Sequence, residues 1–201
     1  MYRSVHVLLG LGMLLAALTV VRPGQAADEF KPEEGYVSLF NGKDLSGWMY
    51  KPTPKESLQG KTETPDGRIE VKDGVILVNE KDKEGKAGIK DLYTVKEYNK
   101  GFHLKLEFRA APRADSGLYI RGPQLQVRDY PTVGPYKKVK FKGGDWNDLE
   151  IIVKGEMAEC RCNGEVIEPA FKVPAKGGIG LQAEAGKFEF RRIRVKSKDE
   201  G

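Results

Sequence analysis

The sequence is poor in the residues that most often carry chemistry: 201 residues contain two cysteines and two histidines. Cys160 and Cys162 are separated by one residue, so in a strand they point to the same side about 7 Å apart at Cα, too far for an unstrained disulfide. They are expected as free thiols packed in a sheet. A Cys-x-Cys half-site for zinc needs further soft ligands, and beyond the first 26 residues the only histidine is His103, so no zinc site is expected. No Ser/His/Asp set suggests itself. Gly117, Gly143, Gly144, Gly177 and Gly178 have no strand–loop–helix unit around them and are expected as turn or packing positions rather than a phosphate loop.

Charge of one sign is also in short supply. The formal net charge is +5, and Arg3 and Arg22 of the leader carry two of those charges. The remaining small excess gives no reason to expect a nucleic-acid partner. The densest basic run, Tyr136 to Gly144, reads as a solvated hairpin or loop. There is one long apolar run, Val7 to Val21, preceded by Arg3 and followed by the small-residue site Gly24-Gln25-Ala26. This is the pattern of a secretory signal peptide over residues 1–26, and the run is short for a spanning helix. A single mature domain over 27–201, secreted or periplasmic and without stable membrane insertion after cleavage, is expected.

No segment of ten or more residues shows a clean helical stripe. Short alternating runs punctuated by glycine and proline fill the chain instead. Gly67–Glu80 reads as two strands around an Asp73-Gly74 turn, and Asn163-Gly164 marks a second tight hairpin. Gly101–Ala111 places Phe102, Leu104, Leu106 and Phe108 on one face and His103, Lys105, Glu107 and Arg109 on the other. Gly177–Lys196 gives two strands around Ala185-Gly186, with a phase slip at Arg191-Arg192 that predicts a bulge. Lys51–Asp66, polar and proline-containing, is expected to be a long surface loop, a candidate cover for a binding face. The sum is an all-β sandwich or jelly roll of two antiparallel sheets.

Asp115–Asp129, DSGLYIRGPQLQVRD, carries the functional signal. Alternation puts Tyr119 and Arg121 on one face, then Gln124, Gln126 and Arg128 on one face beyond the Gly122-Pro123 corner. Amides supply donors and acceptors, and guanidinium supplies a donor fork, which together suit sugar hydroxyls. A solvated outer sheet face would also be polar, but such faces favour Lys, Glu and Thr over Gln and Tyr. Trp146 and Trp48 are weighed as sugar-stacking rings against a core role, and His103 is expected at the surface.

The opening VSLFNGKDLSGW (Val37–Trp48), then Tyr98 before GFHLKLEFR, DSGLYIRG, QLQVRD, GDWND, the Asn-Gly hairpin and GGIGLQAEAGKFEFRRI resemble, in order and spacing, the 3-keto-disaccharide hydrolase domain family. The resemblance implies a concanavalin A-like β-sandwich whose concave sheet holds a polar sugar pocket, with some members acting on glycosides oxidised at C3. It places Glu107, Arg121, Gln126, Asn147 and Gln182 on family motif positions. Asp115, Gln124, Glu184 and Arg192 stand where the family usually has Asn, Glu, His and Asn, and Gln124 removes a potential base.

On a 3-keto sugar the ketone acidifies the C2 proton, so one base can remove it while the aglycone leaves from C1, and water then adds back. This requires a positioned base and donors for the enolate oxygen. The expected catalytic residues are Glu107, Glu184 and Arg121; the expected substrate contacts are Tyr119, Gln124, Gln126, Trp146, Asn147 and Gln182. Against this, Glu107 is weighed as a partner in an ion pair with a neighbouring arginine. No cofactor is expected; a divalent ion is an alternative electrophile for which the sequence shows no ligand cluster. The competing readings are a non-catalytic carbohydrate-binding module and an extracellular structural domain.

Overall fold

The computed structural model describes residues 30–197. The signal-peptide reading of residues 1–26 lies outside them, as does the chain end beyond Ser197. Thirteen strands follow in order: β1 (Val37–Ser38), β2 (Trp48–Tyr50), β3 (Ile69–Lys72), β4 (Val75–Val78), β5 (Lys90–Thr94), β6 (Phe102–Ala110), β7 (Asp115–Ile120), β8 (Gln124–Arg128), β9 (Asn147–Lys154), β10 (Met157–Cys162), β11 (Glu165–Lys172), β12 (Ile179–Ala183) and β13 (Phe188–Ser197). One short helix, α1 (Tyr130–Val133), lies in the β8–β9 connection.

The strands form two sheets. One has eight strands in the order β11-β10-β9-β6-β13-β4-β3, with β1 added on β13; the other has five, in the order β2-β5-β12-β7-β8. All pairings are antiparallel. The expected all-β sandwich of two antiparallel sheets is therefore what the chain forms. Residues at alternate positions meet between the layers: Leu104, Leu106 and Phe108 of β6 and Phe188 and Phe190 of β13 from one side, Leu118, Leu125, Val127 and Leu181 from the other, all buried. Burial of this apolar face, worth roughly 1.5–3 kcal/mol per large side chain, fixes each strand's phase. The phase in turn decides which side chains look outward.

Turn chemistry follows the sequence. Asp73-Gly74 and Asn163-Gly164 both take positive φ at both residues, as a two-residue hairpin with right-handed twist needs. The predicted slip in β13 is a bulge between Arg191 and Arg194, with Arg192 at φ 51°. Cys160 and Cys162 are buried free thiols, and burial pushes both up to about 12, so neither is a ready thiolate. Both lie near Tyr130 of the β8–β9 connection, whose Tyr130 and Phe141 rings pack against Phe108. The long Lys51–Asp66 loop is anchored: Leu58 and Thr64 are buried, and Tyr50 at its start donates to Asp66 at its end, 2.6 Å away.

Candidate functional site

The outer face of the five-stranded sheet is built in rungs. Register aligns Met49 with Tyr93, Tyr93 with Gly180, Gly180 with Tyr119, and Tyr119 with Gln124. The next rung pairs Asp91 with Gln182 and Gly117 with Gln126. The third pairs Asp115 with Arg128, and Glu184 reaches the same end of the sheet two residues beyond Gln182. Tyr119, Gln124, Gln126, Gln182 and Glu184, drawn from three separate stretches of sequence, thus share one face. None of them is fully exposed, and Gln182 is buried. A merely solvated sheet face would not enclose its side chains in this way.

Two glycines make the enclosure. A methyl group on Gly117 would lie 2.0 Å from the Gln124 amide nitrogen, and one on Gly180 would lie 2.8–2.9 Å from the Tyr93 ring. With no side chain there, Gln124 and Tyr93 fold inward over the two central strands. Tyr93 then stacks on Tyr119 with ring centres 5.1 Å apart, and the Lys51 ammonium sits 4.7 Å from the Tyr93 ring centre.

The polar groups are joined. Gln126 Nε2 donates to Gln124 Oε1 at 3.3 Å, Gln124 Nε2 donates to Gln182 Oε1, and Gln182 Nε2 donates to Tyr119 Oη at 3.0 Å. The Asp91 carboxyl lies close enough to the Tyr119 hydroxyl to act on it electrostatically. Burial pushes the Tyr119 phenol up to about 12, which keeps it a donor. Burial also raises the Asp91 and Asp115 carboxyls. Glu184 is raised first by burial and then by the nearby Asp115 carboxylate. Arg128 pairs with Asp115 at 2.5 Å. The end of the face therefore brings Glu184, an acid shifted toward basicity, close to a guanidinium.

Other predicted site residues lie elsewhere. Glu107 faces outward from the eight-stranded sheet, where Arg191 and Arg192 hold its two oxygens at 2.7 and 2.9 Å. Two hydrogen-bonded cations make it a strut rather than a free base. Trp146 is on that same side, with the Arg191 and Arg109 guanidinium groups 3.8 and 4.8 Å from its ring centre. Asn147 is wholly buried and staples its loop, accepting from the Lys142 amide at 2.8 Å and donating to the Lys142 and Asp145 carbonyls.

Arg121 departs from the expected phase because its φ is 56°. The left-handed residue turns the side chain off the Tyr119 face. It is buried instead, donating to the carbonyls of Gly155 at 3.0 Å, Pro174 at 3.2 Å and Lys100. The cation beside Glu184 is Arg128. Trp48 is core, with its indole N–H on the Leu39 carbonyl at 2.9 Å. His103 bridges Tyr36 and Glu150, at 2.7 Å to each.

Sequence reasoning missed Asp91, Tyr93 and Lys51. The signal was present in β5, KDLYT, where Leu92 and Thr94 go inward and Asp91 and Tyr93 outward, but five residues give a weak alternation. Among the described residues, no group of three or more His, Cys, Asp or Glu side chains is arranged to hold a metal ion, and no helix is long and apolar enough to cross a membrane. A cleft of about 280 Å³ on the other sheet, lined in part by Met157, Glu159 and Arg161, has those two charges locked to each other, with Arg161 Nε 2.6 Å from Glu159. It gathers no comparable network.

Comparison with solved structures agrees on the fold. A candidate glycosyl hydrolase from Parabacteroides distasonis superposes with a TM-score of 0.63 at 23% identity, covering 84% of this chain and 98% of that one. A second from the same organism gives 0.59 at 21% identity, covering 81% and 98%. Among curated proteins none matches the sequence. The model of the 3-keto-alpha-glucoside-1,2-lyase-like domain matches residues 35–196, essentially the whole sandwich, and the chain belongs to that family.

Proposed function

We propose that this protein is a carbohydrate-active enzyme that cleaves glycosidic bonds in 3-keto-glycosides, and that the outer face of the five-stranded sheet is its site. The observation that carries the reading is the convergence of Tyr119, Gln124, Gln126 and Gln182 into one half-buried hydrogen-bonded row beside Glu184 and Arg128. Family membership supports the chemistry. The leader-like first 26 residues support action outside the cytoplasm.

In this scheme Glu184 takes the C2 proton of a sugar oxidised at C3. The electron pair moves into the C2–C3 bond, and negative charge gathers on the ketone oxygen. Arg128 N–H groups stabilise that charge. The enolate then expels the aglycone from C1, whose oxygen picks up a proton. Water adds across the resulting C1–C2 double bond, and the net reaction is hydrolysis. Glu184 suits the base because burial and Asp115 raise its proton affinity above that of an ordinary glutamate. Arg128 replaces the role expected of Arg121, and no second carboxylate flanking the bond is required.

A specific observation favours a second reading, a non-catalytic binding module: the side chain lying over Gly117 at the centre of the face is the amide of Gln124, not a carboxylate. Incubation with a panel of glycosides and their 3-keto forms, followed by mass spectrometry, separates the two. Release of free sugar from 3-keto forms alone is the result expected. Saturable binding without release supports the module, and the absence of both binding and release would deprive this face of a carbohydrate role.

A further inference from the structure

The reaction scheme has a direction across the sheet. Glu184 takes the proton of C2, and Arg128 holds the oxygen on C3. C1 and its aglycone then fall on the other side of Glu184 from Arg128. Arg128 is on β8, beyond β7, whereas the neighbour of β12 on its other side is β5. The aglycone therefore leaves over β5.

The residue placed there is apolar. Ala183 of β12 is in register with Lys90 of β5. Glu184 follows the one and Ile89 precedes the other, so Ile89 and Glu184 stand across from each other, one step past the last pair and one strand spacing, about 5 Å, apart. Lys90 turns inward, its ammonium 2.9 Å from Asp66 and 3.7 Å from Asp82. Ile89 is left on the outward phase with Asp91 and Tyr93, and it is 58% exposed. A lone exposed isoleucine is ordinary on a protein surface, but the fold gives no reason for one beside the base. Asp91, the next outward residue, belongs to the rung of Gln182 and so to the sugar. Tyr93 is engaged by the Tyr119 ring and the Lys51 ammonium, which makes it a wall and not a free stacking surface.

We propose that Ile89 lines an aglycone subsite, and that the preferred substrates are 3-keto-glycosides whose aglycone is an apolar aromatic ring. The inference rests on the proposed function, with Glu184 as base and Arg128 as cation. The chemistry of departure agrees with it. When the C1–O bond breaks, its electron pair stays on the aglycone oxygen, which then takes a proton from water. A phenol is a stronger acid than a sugar alcohol, with a pKa of about 10 as in tyrosine, so an aryl oxygen leaves with less help. The Lys90 ammonium, next to Ile89 in sequence, is turned away and gives that oxygen no proton.

The experiment measures affinity by calorimetry in Glu184→Gln, which suppresses turnover, for a phenyl 3-keto-glucoside and a 3-keto-disaccharide. The phenyl ligand is expected to bind about ten-fold more tightly, the scale of one apolar contact in a pocket. Adding Ile89→Ser removes that preference and leaves disaccharide binding unchanged. Val95→Ser is the control: Val95 is 66% exposed just past the other end of β5, about 20 Å from Ile89, and the preference survives there. Equal or tighter binding of the disaccharide, a preference that survives Ile89→Ser, or one lost in Val95→Ser overturns the proposal. Release of sugar by the wild type without any aryl preference removes the subsite and leaves the cleavage reading standing. An aryl preference that depends on Ile89, with no release from either ligand, keeps the subsite and removes the cleavage reading.

Discussion

Gln182 Nε2 lies 3.0 Å from the Tyr119 hydroxyl oxygen, joining side chains 63 residues apart in sequence. β12 and β7 are neighbours in the sheet, and both residues project from its outer face, so the contact ties the two central strands where a ligand would rest.

Removing this link should be costly for binding. Gln182→Ala leaves Gln124 without its acceptor and Tyr119 without its donor. An unsatisfied buried polar group costs about 1–3 kcal/mol, so 3-keto-glycoside affinity, read by calorimetry, is expected to fall ten-fold or more with the circular dichroism spectrum unchanged.

Gly180→Ala should act through Tyr93. The added methyl would meet the ring at 2.8–2.9 Å, so the ring must lift and its stack on Tyr119 must open. Overpacking of this kind costs about 1–3 kcal/mol. The expected outcome is a melting temperature lower by roughly 2–12 °C, together with weaker ligand binding.

Arg121→Ala should damage stability rather than chemistry. Three carbonyls, of Gly155, Pro174 and Lys100, lose a buried donor. A loss of about 3 kcal/mol or more is expected, or roughly 6–12 °C in melting temperature for a domain of this size. Turnover per folded molecule, measured well below the melting temperature, should be unchanged.

Acid stability should follow Asp66. Burial opposes its charge, but hydrogen bonds from Tyr50 and Lys90 hold the carboxyl down to about 2, below the unfolded value of about 3.9. A depressed folded value means stability that is present above about pH 4 and lost as pH falls toward 2. Solvent screening discounts it to about 1 kcal/mol. Thermal melts across this range should show a steep fall in wild type and a shallower one in Asp66→Asn. Glu184 has the opposite sign: its raised carboxyl costs stability above its folded pKa and is relieved on acidification. Glu184→Gln should therefore melt higher at neutral pH, an advantage that fades at low pH.

The fold was legible because its signals are local. Asp73-Gly74, Asn163-Gly164 and the nine-residue alternation of β6 each declare a turn or a phase without reference to the rest of the chain. The polar face was half legible. Alternation within β7 and β8 placed Tyr119, Gln124 and Gln126 on an outward phase, the family resemblance supplied Gln182 of β12, and one sheet carries all three strands. Glu107 has the same outward phase, yet β6 belongs to the other sheet, and phase alone does not say which of two outer faces a strand supplies. Arg121 was misplaced for a different reason: a single left-handed residue at the end of β7 reverses the side chain, and nothing in Ile120-Arg121-Gly122 announces which residue takes that conformation. Asp91 escaped notice because the five residues of β5 give only a weak alternation.

The most direct test compares Glu184→Gln with Glu107→Gln for sugar release from a 3-keto-disaccharide. The two residues project from opposite outer faces of the sandwich, so the pair reports which face is the site. Loss of a positioned base costs about 10²–10⁴-fold. The account predicts that order of loss in Glu184→Gln and near-full turnover in Glu107→Gln; the reverse pattern, or full turnover in Glu184→Gln, would contradict it.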